Sequence, residues 1–244
     1  MRLKDSLDLT VRRTDGGELE LRDSARLAEL FFASDVSSMG PESYDAYTEI
    51  TDRNRIERAD VDVLNKTFRA MIMRLSEWED LYTDEPLHWL IDLDEDWDLV
   101  TMPPEVWEEQ VAAKIEAAIM AIIGPRAAGV AQATKLLHLK RPRLVPVVDS
   151  YVAKAGGQRL KDEKPKPERA AQARMIIEHL RQEGVRLRPE LEAIQGHLAV
   201  AELPVNRSRA RILDVVVWTS EDPGFKAIGE MLVRWRAEDE ANDH

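Results

Sequence analysis

Leu7, Leu9 and Val11 alternate with polar residues, Asp15-Gly16-Gly17 is a turn cluster, and Leu19 and Leu21 resume the alternation. A period of two on either side of a glycine turn predicts a short β-hairpin within 1–23. Beyond it the period changes to that of helices. Ser24 is placed to cap a helix through about Ala33, and residues 35–58, with Met39-Gly40-Pro41 and few apolar anchors, read as irregular. Asp60 heads a helix to about Arg74 on the spacing of Val61, Leu64, Phe68, Ile72 and Leu75. Ser76 and Asp84 open shorter helices that carry Trp78, Leu81, Leu87 and Leu90.

The longest predicted helix follows Pro103 and Pro104, where a first turn tolerates proline, and runs to Ile123 with Val111, Ile115, Ile119 and Ile122 on one stripe. Gly124-Pro125 ends it, and another helix covers Arg126 to about Leu139. Arg141 to Pro146 is a proline connector, after which Asp149 caps Ser150 to Ala155. Residues 156–166, with Gly-Gly, alternating charges and two prolines, predict an exposed, mobile loop. Further helices are expected over Pro167–Glu183, stopped by Gly184, then 189–200, 208–219 and 223–238. The fold class is therefore all-α with a short N-terminal β-hairpin. The expected organisation is a hairpin (1–23), one compact multi-helix domain (24–238) in which a sub-domain split would fall near Gly124, and an acidic tail (239–244).

Charge complicates this uniform helical picture. The 244 residues carry a formal charge of −12, a poor match for nucleic acid on first reading. The charge is unevenly spread. Residues 1–124 hold 29 acidic against 13 basic side chains, 126–211 hold 9 against 18, and 212–244 hold 8 against 3, so net values of −16, +9 and −5 follow one another. A basic middle between acidic ends admits two readings: complementary halves of one fold, or a basic surface open to an anionic ligand.

Composition removes several chemistries. With no Cys there are no disulfides, thiol nucleophiles or Cys-metal sites. No stretch reaches the roughly 18 apolar residues of a membrane span, and no apolar signal core follows Met1, so a cytoplasmic protein with no membrane partner is expected. Asp92, Asp94, Asp96 and Asp98 alternate as in a calcium loop, but Trp97 and Pro103 occupy the places of the obligatory Gly and the bidentate Glu. The five His show no pair at helical ligand spacing. Asp149 with Asp162 and Lys164 has the residue types of a metal-dependent nuclease, but such residues need adjacent strands. No metal or cofactor is expected. The six Trp are expected to be mostly core residues.

The stretch from Ala133 to Val152 carries the candidate chemistry. It sets Lys135 and His138 among Leu136, Leu137 and Leu139, then uses Pro142 and Pro146 to aim Asp149 at the start of the next helix. A Lys in an apolar wall has its charged form disfavoured, which leaves more free amine for nucleophilic attack. A carboxylate beside it can stabilise a developing cation or take a proton. The plainer alternatives are that Asp149 is only an N-cap and that Lys135 extends from a helix end into water.

The run Thr134-Lys135-Leu136-Leu137-His138, Pro146-Val147-Val148-Asp149-Ser150 and the later Ser208 to Trp218 segment resemble a family of small uncharacterised bacterial proteins over about residues 40–220. That family is in turn similar to the helix-hairpin-helix DNA glycosylases, a similarity confined to about 120–155. The glycosylase resemblance implies that Lys135 attacks the sugar C1′ of a flipped nucleotide, that Asp149 assists and that His138 is a polar neighbour one turn along. It also implies phosphate contacts from Arg126, Lys140, Arg141 and Arg143. Gly124 and Gly129 stand in place of the tight Gly-x-Gly of the glycosylase hairpin, which implies a degenerate form. The expected partner on this reading is DNA or a nucleobase. The rival expectation is a noncatalytic helical interaction module that docks its own acidic segments or an acidic protein partner.

Overall fold

The hairpin is present with the predicted inward positions. In a computed structural model of the chain, which describes residues 7–39, 44–48, 51–67, 82, 84–123, 129–161, 163–201 and 208–222, strands β1 (Leu9–Arg12) and β2 (Glu18–Leu21) pair antiparallel. Leu9 faces Leu21 and Val11 faces Leu19; Leu9, Val11 and Leu21 are buried in the same apolar core as the helices. Thr14 in the turn donates through its amide and hydroxyl to the Gly156 carbonyl, so the hairpin tip is tied to the middle of the chain.

The remaining regular elements of the described chain are helices. In order they are α1 (Ser24–Met39), α2 (Tyr44–Tyr47), α3 (Arg58–Thr67), α4 (His88–Ile91), α5 (Pro104–Val106), α6 (Ala112–Ile122), α7 (Val130–Lys140), α8 (Ser150–Ala155), α9 (Lys166–Arg186), α10 (Arg188–Val200) and α11 (Arg209–Thr219). The central helices are held by reciprocal packing: α6 lies along α9, α1 meets α10 and α11, and α11 also contacts α8 and α9. Among the described residues, no helix is long and apolar enough to cross a membrane.

Several expectations are corrected. The first helix continues to Met39, and α2 follows, so much of the stretch read as irregular is helical. Asp60 lies inside α3, where its Oδ2 accepts the Glu57 amide 2.7 Å away; a carboxylate in the first turn reaches back to a free N–H as readily as a cap reaches forward. The helix expected after Pro103 is interrupted by a π-helical turn, Trp107–Val111. That wider turn leaves both Trp107 and Val111 buried, and the predicted stripe of Val111, Ile115, Ile119 and Ile122 is buried below it.

Gly184 does not end α9. It lies within the helix, where a Cβ would stand 3.0 Å from Val100 Cγ2 and 3.4 Å from Leu213 Cδ2, so this glycine permits close packing of α9 on α11. The loop expected to be free after Gly156 begins as a fixed one. Besides the Thr14 bonds, Gly157 has φ +78° and packs against the Asp15 carboxylate. The expected helices at 76 and 223–238, the end of the helix that begins with α3, and the acidic tail lie outside the described residues, as do Phe68, Ile72, Leu75 and Trp78.

Candidate functional site

Three side chains stitch the extended segment 144–148 between α7 and α11. His138 Nδ1–H donates to the Val145 carbonyl at 2.7 Å, Asp214 Oδ2 accepts the Val147 amide at 2.7 Å, and Thr134 Oγ1 accepts the Val148 amide at 3.0 Å. Buried backbone groups need partners, and this proline-bearing segment cannot obtain them from a helix ladder. The result is a fixed approach to Asp149. Its Oδ1 accepts the amides of Tyr151 and Val152, both at 3.0 Å, as the α8 N-cap, and its Oδ2 accepts the Trp218 indole N–H at 3.1 Å. The cap reading of Asp149 is therefore satisfied by one oxygen, with the other turned toward α11.

Lys135 lies on α7 and is only 6% exposed. Burial lowers its amine to about 8; the Asp149 charge opposes that shift, Arg211 adds to it, and Asp214 also opposes it. Lys135 and Asp149 thus lie within electrostatic reach of each other. His138 is fully enclosed, and burial with the nearby Arg211 charge holds its pKa down at about 4. Its ring stacks on Tyr44, with centroids 5.6 Å apart, and the Tyr44 hydroxyl donates to the Lys135 carbonyl at 2.6 Å. Neutral His138, donating from Nδ1, works as a brace for the segment leading to Asp149.

The sequence reading missed the charges opposite Lys135. Arg211 is buried; its Nε and Nη2 bind Asp45 at 2.7 and 3.1 Å, and its Nη1 binds Asp214 Oδ1 at 2.8 Å. Burial opposes the Arg211 charge, but the two carboxylates raise its pKa well above the ordinary value. Burial raises Asp214 to about 7, against the pull of Arg211 and the Val147 amide. The guanidinium also lies over Phe31 and Tyr44, at 5.3 and 5.5 Å from the ring centroids. The available sequence signal was the pair Arg211 and Asp214, one helical turn apart inside an otherwise apolar run. Asp45, 166 positions away, had no signal.

The expected phosphate contacts divide. Lys140 is enclosed and bonded to Asp60 Oδ2 at 2.6 Å, Thr51 Oγ1 at 2.6 Å and the Asp52 carbonyl at 2.8 Å. Arg141 spends its guanidinium on the carbonyls of Leu90, Leu93, Arg53 and Lys140 and on Asn54 Oδ1. Both side chains turn inward because the segments around α3 and α4 end in carbonyls and carboxylates that require donors. Neither offers its charge to a ligand at the surface, which corrects the expectation for them. Arg143 does reach solvent, with its side chain 47% exposed and Asp98 at 3.6 Å. Arg126 lies outside the described residues.

Two of the aspartates at 92–98 hold the backbone of their own loop. Asp94 Oδ1 accepts the Asp96 amide, and Asp98 Oδ1 accepts the Val100 amide while its Oδ2 binds Arg209 at 2.9 Å. Among the described residues, no cluster of His or carboxylates could hold a metal ion.

No curated protein and no solved structure matches this chain. A model of a family of unknown function, DUF6308, matches residues 24–221, which takes in every helix from α1 to α11 and both halves of the buried charge cluster. The chain belongs to this family of unknown function.

Proposed function

We propose that the protein binds nucleic acid or a nucleobase with a helical fold of the helix-hairpin-helix glycosylase type, in degenerate form, and that Lys135 is its nucleophile. The observation that supports this is the placement of an enclosed Lys135 amine, lowered to about 8, within reach of Asp149 and Asp214. At pH 7.5 about a quarter of such amines are unprotonated, against about one in a thousand for an ordinary Lys. The free amine adds to the C1′ aldehyde of an abasic deoxyribose, the carbinolamine hydroxyl takes a proton from solvent and leaves as water, and an iminium forms. Asp149, held by the α8 amides and Trp218, stabilises that cation.

Borohydride trapping on abasic and damaged DNA tests this reading. Hydride reduces the iminium to a stable secondary amine, so a covalent adduct is expected with the wild type and none with Lys135→Gln. Trapping should rise with pH through about 8 as the amine loses its proton. No adduct across a lesion panel overturns the nucleophile role. A noncatalytic interaction module is the second reading, and it is favoured by one observation: Lys140 and Arg141 of the basic middle already bind the chain's own carboxylate and carbonyls.

A further inference from the structure

Among the described side chains most cations have a carboxylate, carbonyl or aromatic partner; apart from Arg12 on β1, those that bond to none of the described residues gather at the start of α9. They are Arg159, Lys161, Lys166 and Arg169. Their arrangement is fixed by neutral contacts. Leu160 packs on the core, while the Gln172 amide donates to the Arg159 carbonyl and accepts the Lys161 N–H at 3.2 Å. Arg159 and Lys161 are therefore turned outward on either side of an anchored Leu160. Lys166, Arg169 and Gln172 follow at three-residue spacing on one face of α9, so the clamped loop lies beside the same face as the two helical cations. Glu168 is matched by Lys164 at 2.8 Å and adds little negative charge here; Glu163 and Asp162 interrupt the run in sequence.

We propose that Arg159, Lys161, Lys166 and Arg169 form a docking surface for the phosphodiester backbone of a nucleic acid. The proposal rests on the nucleic-acid reading above and gives it a surface in place of Lys140 and Arg141. These four cations are surplus charge among described side chains that are otherwise nearly all matched. A densely charged strand repays them by releasing condensed counterions, which an acidic protein of sparse charge does not carry. The chain path also suits the candidate site, because only α8, whose six residues span about 9 Å, and the turn at 156–158 join Asp149 to the loop.

Fluorescence anisotropy with a single-stranded and a duplex oligonucleotide, from 20 to 200 mM salt, tests it on the full chain. Expected are binding by the wild type with a log–log salt slope of about −2 to −3, and at least a tenfold loss on Arg159→Glu/Lys161→Glu/Lys166→Glu. Arg22→Glu, an exposed cation at the end of the hairpin, should bind as the wild type does, and the triple variant should still be trapped by borohydride at saturating DNA. Unchanged binding by the triple variant overturns the surface and leaves the Lys135 reading standing. Binding lost in the triple variant with no adduct in the wild type supports the surface and overturns Lys135. No wild-type binding at 20 mM salt, or displacement by polyglutamate as effective as by DNA at equal charge, overturns the surface. Coincident thermal unfolding of the triple variant and wild type shows that the loss is not one of folding.

Discussion

The buried cations of α7 and α11 and the exposed or half-buried cations before and on α9 come from the same basic segment of the sequence, yet their environments differ. Lys135, Lys140, Arg141 and Arg211 are enclosed and surrounded by carboxylates or carbonyls. Arg159, Lys161, Lys166 and Arg169 lie on a loop and a helix face held in place by an amide and a leucine. A charge excess of +9 over 126–211 is thus two populations. One balances the acidic segments from within, as at Asp45 and Asp60, and the other remains at the surface. Net charge along a chain describes ligands only after the internal pairs are removed.

The enclosed population is not uniform either, and two lysines of α7 provide the sharpest test. Lys140→Met leaves the Asp60 carboxylate buried without its cation, and a cost of about 3–5 kcal/mol is expected in denaturant unfolding. Recovery of part of that loss in Lys140→Met/Asp60→Leu would show that the stranded charge carries it. A loss below about 1 kcal/mol would break the distinction between interior and surface cations.

Lys135→Met should move stability the other way. Burial disfavours the Lys135 ammonium in the folded state, so replacing it with an apolar side chain of similar length is expected to stabilise by about 1–3 kcal/mol at pH 7. The pH dependence has a definite sign. The unfolded amine keeps its proton up to about 10.5 and the folded one only to about 8, so the wild type gains stability as pH rises between those values. That gain should be missing from Lys135→Met. A destabilised Lys135→Met would mark Lys135 as another internal brace like Lys140.

Features set by neighbouring residues were legible in the sequence. The alternation of Leu9, Val11, Leu19 and Leu21 gave the hairpin, Ser208 gave the start of α11, and Asp149 gave that of α8. Features set by distant packing were not. Gly184 reads as a stop signal until Val100 and Leu213 are seen against it, and the π turn answers a need to bury both Trp107 and Val111. At the candidate site, Lys135, His138 and Asp149 fall within one short stretch and could be singled out together. The ion pair from Arg211 to Asp45 bridges most of the chain and left no local trace. Lys140 and Arg141 read as surface cations for the same reason, since their acceptors come from residues 51–60 and 90–93.

Arg143 lies between the two populations and gives the smallest expected effect. Its head group is near Asp98, but Asp98 has a shorter bond to Arg209 and caps its own turn through Val100, so it is not stranded when Arg143 is removed. Arg143→Ala should change stability by less than about 0.5 kcal/mol. If Arg143 touches phosphate, the same substitution weakens DNA binding and takes about one unit off the salt slope, evenly across sequences. A stability loss nearer that of Lys140→Met would class Arg143 with the internal cations and leave the surface before α9 to supply the phosphate contacts.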